Sequence, residues 1–176
     1  MKVHSCGAIL YTFHNSDVYV ILGMEKGEWF PFKGTRERGE TNMETAIREV
    51  YEETCSIINT NYIDLQCNYI TKRKHYHIGL VFVEMNKISK FYDYKKKIIN
   101  NNYIKQKNIY LEKSDIKLFK LDDIFNNKFH AVTQIPIDFY LNDLKKIQNI
   151  YRYDNYQQQT STSEDLQKVN NLSIKI

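Results

Sequence analysis

No stretch of this 176-residue chain approaches the roughly 18–20 consecutive apolar residues that a membrane-spanning helix needs. The opening MKVHSCGAIL has no signal-peptide core followed by a cleavage site. A soluble, cytoplasmic protein without a membrane partner is therefore expected. Cysteine is scarce too: Cys6, Cys55 and Cys67 are odd in number and form no C-x-x-C pair. That argues against a disulfide framework and a zinc site, and leaves buried thiols. Net charge is only +4, whereas hydrophobic residues make up 42% and aromatic residues 14% of the chain. This composition is globular, and the length suits one domain with a single core. We assign that domain to residues 1–153 and read 154–176, with its Gln157 to Ser163 run, as a mobile polar tail.

The informative segment runs from Gly34 to Ser56, GTRERGETNMETAIREVYEETCS. Thr41 and Glu44 have the spacing of a capping box, which predicts a helix opening near Thr41. At about 100° per residue, Glu49, Glu52 and Glu53 fall within one narrow arc, while Met43, Ala46, Ile47 and Val50 form the apolar side. Like charges at these spacings cost a few tenths of a kcal/mol per pair, so the three carboxylates need a compensating partner. A divalent cation is the natural one. Arg48 lies four residues from both Glu44 and Glu52, the spacing of a structural ion pair that fixes the carboxylate face.

The order of Gly34, Glu40, then Arg48-Glu49-Val50-Tyr51-Glu52-Glu53 resembles the Nudix box, the signature of hydrolases that cleave a nucleoside diphosphate linked to another moiety. The resemblance implies an α/β fold, the Nudix-type α/β/α sandwich with a mixed sheet. It also implies Mg²⁺ or Mn²⁺ as cofactor, with Glu49 and Glu53 as principal ligands, Glu52 as a third ligand or the base that orients water, and the Gly34 carbonyl as a further ligand. Glu40 would hold loop and helix together. Mg²⁺ suits the chemistry, since it takes hard oxygen ligands and neutralises phosphate oxygens. Cys55 and Ser56 depart from the pattern, which usually has Gly and an aliphatic residue there. That Gly normally ends the helix in the left-handed region, a conformation costing Cys on the order of 1 kcal/mol.

Outside the box, Val3–Phe13, Val18–Met24, Tyr62–Ile70, His77–Val83 and Asp115–Asp123 read as strands, and Pro136–Tyr151 as an amphipathic helix. Glu112, before the 115–123 strand, is a fourth carboxylate that the family resemblance places as metal ligand or base, with Asp115 as its rival. Lys33 precedes Gly34, and the resemblance suggests a cation for a dense phosphate chain, as in dinucleoside polyphosphate, inositol pyrophosphate and mRNA-decapping members. Lys72 and Arg73 are further candidates for substrate phosphate. The segment 86–108 reads as a basic Asn-, Lys- and Tyr-rich loop or insertion. Its Lys95, Lys96 and Lys97, with Tyr92, Tyr94 and Tyr103, could stack and steer capped RNA or simply form a solvated loop. His75 and His77 share a strand face with no third nitrogen nearby in sequence, so they read as strand residues rather than a metal pair. The expected substrate is a nucleotide or polyphosphate, with RNA decapping as the sharper variant. A catalytically weak RNA- or nucleotide-binding protein is the alternative from another class.

Overall fold

The computed structural model describes residues 3–100 and 112–173. Two tight hairpins start the sheet. Strands β1 (Val3–His14) and β2 (Asp17–Glu25) are joined by Asn15 and Ser16, both at positive φ. Lys26 (φ 51°) and Gly27 (φ 86°) then turn β2 into β3 (Glu28–Phe30). Two-residue loops with both residues in the left-handed region match the right-handed twist of the paired strands. After β3 comes β4 (Phe32–Thr35), then helix α1 (Asn42–Glu53), β5 (Cys67–Ile70) and β6 (Lys74–Phe82). Two short helices follow, α2 (Met85–Ile88) and α3 (Phe91–Asn100), then β7 (Asp115–Lys120), a 3₁₀ turn over Leu121–Asn126, and α4 (Ala131–Ser173).

The sheet is mixed. β1 runs parallel to β6, pairing Val3 with Lys74 through Tyr11 with Phe82, and all other pairings are antiparallel. β1 also forks: residues 10–14 pair with β2, whereas Ser5–Ala8 pair with β4. Glycine makes the fork possible, since a Cβ on Gly7 would stand 2.0 Å from the Phe32 carbonyl oxygen. Alternation along β1 sends Cys6, Ala8 and Leu10 toward α1, with Ile21, Phe32, Ala46 and Val50, and sends Ile9 toward α4, with Val20, Ile78, Ile137 and Leu144. The sheet thus lies between helices, as expected from the element order.

Several boundaries differ from the sequence reading. β5 begins at Cys67 rather than Tyr62 and β6 at Lys74 rather than His77, so the basic connection shrinks to a turn at 71–73, closed by the Thr71 amide donating to the Lys74 carbonyl. The strand expected through Asp123 stops at Lys120 and coils into the 3₁₀ turn, which buries Leu121 and Ile124. Of the expected loop 86–108, Phe91–Asn100 is helical and 101–108 lies outside the described residues. Phe91 is the reason, since its ring is buried against Cys55. The polar run from 154 is helical through Ser173, continuous with α4, as a stretch without Gly or Pro permits.

α4 also begins five residues before the expected Pro136. A proline inside a helix removes the amide that would bond the carbonyl four residues earlier. Here that carbonyl belongs to Val132, and the Tyr69 hydroxyl donates to it at 2.9 Å. The Tyr140 hydroxyl, donating to Ile78 O at 2.8 Å and accepting from the Cys67 amide at 3.2 Å, ties the same helix to the sheet. Tyr69→Phe should therefore lower unfolding stability by about 1–2 kcal/mol through the orphaned Val132 carbonyl. Chemical denaturation checks it; an unchanged midpoint would show that the proline gap is filled some other way.

Candidate active site

α1 opens as its sequence dictates. The Thr41 hydroxyl accepts from the Glu44 amide at 3.2 Å, and the Glu44 carboxylate accepts from the Thr41 amide at 2.7 Å. Its exit keeps the left-handed route without glycine: Cys55 (φ 56°) and Ser56 (φ 64°) are both in that region. The Ser56 amide reaches the Tyr51 carbonyl at 2.8 Å and the Cys55 amide reaches that of Glu52 at 3.1 Å, the two bonds of a Schellman end. The Thr54 hydroxyl adds a bond to Val50 O at 2.6 Å and accepts from the Ile58 amide. These bonds offset the strain of a non-glycine residue at the cap.

Arg48 organises one half of the carboxylate face. Its guanidinium donates to both Glu40 oxygens at 2.7 and 3.1 Å, to Glu49 Oε1 at 2.7 Å, to Glu52 Oε2 at 3.1 Å and to the Thr35 carbonyl at 3.1 Å. The sequence spacing suggested Glu44 as a partner. Glu44 is instead spent on the cap, and Glu40 takes its place. Glu40 also accepts from the Glu37 amide and the Thr45 hydroxyl. Arg48 first, helped by those donors, holds the Glu40 carboxyl down at about 2. Glu49 is pushed above the ordinary carboxylate value by burial, which Arg48 only partly offsets. It lies against β4 so closely that a Cβ on Gly34 would meet its carboxylate at 2.1 Å. Gly34 is required there for space.

The other half centres on Glu53, only 1% exposed. Its Oε2 accepts from the Lys33 amide at 2.7 Å, and its Oε1 lies 3.0 Å from the Lys113 ammonium, off the line of a directed hydrogen bond. Lys113 is 1% exposed as well and donates to Glu25 at 3.1 Å. Oxygens of Glu25, Glu53 and Glu112 all lie within 4.8 Å of one another. Burial pushes the Glu53 carboxyl up, opposed by Lys113. Burial also works against the Lys113 ammonium, yet Glu53 and Glu25 outweigh it and hold its pKa above the ordinary value. The Lys33 amide and the Lys113 ammonium beside the Glu53 carboxylate both oppose its upward shift. Sequence reading missed Glu25 and Lys113. Only the pairing of β2 with β7, Met24 opposite Asp115, brings them together.

The remaining predicted residues divide. The Lys33 ammonium faces the Phe30 ring at 5.2 Å, and burial, then Lys113, lowers its pKa. Glu112 is exposed at the rim of the cluster. Asp115, its rival, accepts from the Tyr92 hydroxyl and its own neighbour's amide, so it is engaged in holding α3. Lys72 and Arg73 are exposed on the β5–β6 turn beside Val3. Lys33 pairs with Gly7, four residues further along β1, so the structure sets the turn about 13 Å along the strand from Lys33. His75 and His77 gain a third imidazole across the parallel register, His4, whose Nδ1 lies 2.9 Å from His77 Nε2. Asn68 Oδ1, 2.5 Å from His77 Nδ1, fixes the proton on that nitrogen.

The grouped oxygens of Glu25, Glu53 and Glu112 are the hard donor type that Mg²⁺ or Mn²⁺ takes. By sequence, no protein-family model and no curated protein matches the chain. By structure, it resembles a C. elegans Ap4A hydrolase in a binary complex (19% identity, TM-score 0.54, 82% of this chain and 96% of that one). It also resembles the NUDIX domain of Shewanella oneidensis NrtR complexed with ADP-ribose (15%, 0.59, 82% and 89%). A mutT/nudix family protein from Listeria innocua is similar over 88% and 97% of the two chains (14%, 0.54). The chain has the Nudix α/β/α sandwich fold. Among the described residues, no helix is long and apolar enough to cross a membrane.

The depressed Glu40 carboxyl gives a pH signature. A carboxyl whose folded pKa lies below its unfolded value of 4.5 contributes stability above 4.5, and that stability is lost as pH falls toward about 2. Glu40→Gln should cost roughly 1–2 kcal/mol at neutral pH and lose less stability than wild type between pH 4.5 and 2. Denaturation midpoints across that range check it; parallel curves for the two proteins would contradict the role of Glu40.

Proposed function

We propose that this chain is a divalent-metal-dependent pyrophosphohydrolase that cleaves a phosphoanhydride bond of a nucleoside polyphosphate or related small nucleotide. The observation that carries the reading is the convergence of Glu49, Glu52 and Glu53 on one face of α1 with Glu25 and Glu112 from outside it. Glu49, Glu53, Glu52 and Glu112, with the Gly34 carbonyl, would hold Mg²⁺ or Mn²⁺. When bound, such ions neutralise phosphate oxygens and acidify water. Glu52, half-buried and held by Arg48 through one oxygen, keeps its other oxygen to orient the attacking water. Glu112, exposed at the rim, would serve either as a metal ligand or as the base that accepts the water's proton. Lys33, its ammonium against the Phe30 ring, offers a point cation to the phosphate chain.

The small-nucleotide variant is supported over RNA decapping. Of the basic segment, Lys95 is turned inward, donating to the Lys113 and Ser114 carbonyls at 2.8 and 2.6 Å, and Tyr92 is held by Asp115. The Lys97 ammonium lies over the Tyr94 ring at 5.2 Å. These contacts engage Lys95, Lys97 and the Tyr92 hydroxyl within the protein itself. Lys72 and Arg73, set away along the strand, serve a distal part of the substrate. One observation favours a binding protein without turnover: Lys113 already neutralises part of the carboxylate cluster.

Mass spectrometry of products formed with Mg²⁺ or Mn²⁺ from ADP-ribose, dinucleoside polyphosphates and capped RNA tests the reading. Wild type should release a mononucleotide from at least one small substrate, and Glu52→Gln should be slowed about 10²–10⁴-fold. Binding without product would favour the binding protein, and product from capped RNA alone would restore the decapping variant.

A further inference from the structure

We propose that Lys113 is a resident cation of the carboxylate cluster, standing between Glu25 and Glu53 where a divalent ion would otherwise bind, so that the chain loads fewer divalent ions than its carboxylates could hold. The inference rests on the metal-dependent reading above and concerns how many ions that site takes. The ammonium is 3.1 Å from Glu25 and 3.0 Å from Glu53, and its side chain is fully buried. Those are the two inner members of the group whose oxygens approach within 4.8 Å; Glu112, the third, is exposed. Crowded carboxylates in a dry site require a cation, and here the polypeptide supplies one.

The lysine is held in place along its whole length. A Cβ on Gly23 would meet Lys113 Cγ and Cδ at 2.8 Å and Cε at 3.2 Å, so β2 carries glycine where the stem passes. The next residue's amide, Ser114 N, donates to Met24 O at 2.8 Å, and Lys95 caps the Lys113 carbonyl. The ammonium also lies 5.7 Å from the centre of the Phe30 ring. A cation fixed this way neutralises charge and donates hydrogen bonds, but it accepts no ligands and cannot acidify water. Metal loading is thereby directed to the outer side of the cluster, where Glu53 meets Glu49, Glu52 and Glu112, and away from the space between Glu53 and Glu25.

Counting Mn²⁺ tests the proposal, using the full chain as wild type and Lys113→Met, with free ion followed by electron paramagnetic resonance and binding by calorimetry. The variant should bind one more Mn²⁺ per chain than wild type. Equal, non-zero numbers overturn the role of Lys113 and leave the hydrolase reading intact. No binding to wild type overturns both. Should Lys113→Met fail to fold, ¹⁵N spectra of the lysine ammonium groups in wild type decide the question. The Lys113 signal, assigned as the ammonium near the Phe30 ring that remains in Lys33→Met, should persist at saturating Mg²⁺. Its loss on adding Mg²⁺ would show that the ion displaces the ammonium and sink the inference.

Discussion

Crowding of negative charge on one face of α1 is the constraint to which the rest of the molecule answers. Glu49, Glu52 and Glu53 share that face, and Glu40, Glu25 and Glu112 are brought to it from three other segments. Left alone, such a group would repel itself and resist burial, since desolvation of each ion costs several kcal/mol. Two cations of different character meet the demand. Arg48, a planar fork with five donors, spans Glu40, Glu49, Glu52 and the Thr35 carbonyl, fixing loop to helix. Lys113, a compact point charge, reaches the two inner carboxylates that no fork could enter.

Backbone geometry is subordinated to the same end. The fork in β1 lets β4 replace β2 beside Ser5–Ala8, which brings Gly34 under Glu49 and the Lys33 amide onto Glu53. Gly7 and Gly34 are both needed for approach rather than for an unusual φ, since neither is among the positive-φ residues. At the far end of α1, Cys55 and Ser56 accept left-handed backbone so that the chain can turn back under α3, where Phe91 covers Cys55. Gly34, Cys55 and Ser56 each lie within a few residues of a carboxylate of that face.

What was legible in the sequence was local. The Thr41–Glu44 cap and the arc of Glu49, Glu52 and Glu53 depend on spacings of one to four residues, which helical geometry converts directly into position; the exit at Cys55, where the family pattern has Gly, did not follow from the sequence. The mixed sheet between helices followed from the order of elements. Glu25, Lys113 and His4 were illegible because strand pairings over long separations place them: Met24 lies opposite Asp115, and His4 opposite His75. Lys72 and Arg73 were candidates by charge alone, and the parallel register of β1 with β6 sets them apart from Lys33. Pro136 marked a helix start in sequence, yet α4 passes through it because Tyr69, on a strand 67 residues earlier, supplies the lost bond. A proline rule built on the chain's own hydrogen bonds cannot foresee a donor from across the core.

The two cations also differ in what they permit. A guanidinium stays charged at any pH the fold survives, and Arg48 is bound on every side, so its half of the face is permanently set. Lys113 is fully buried between Glu25 and Glu53, and of the three carboxylates grouped there only Glu112, at the rim, is exposed. Approach of a polyphosphate from that rim would add negative charge beside the ammonium and strengthen its hold, whereas approach of a cation would oppose it. On the proposed reading, the inner cluster favours an anionic guest over an additional metal, which would tie the choice of ligand to a lysine lying outside the Gly34–Ser56 segment.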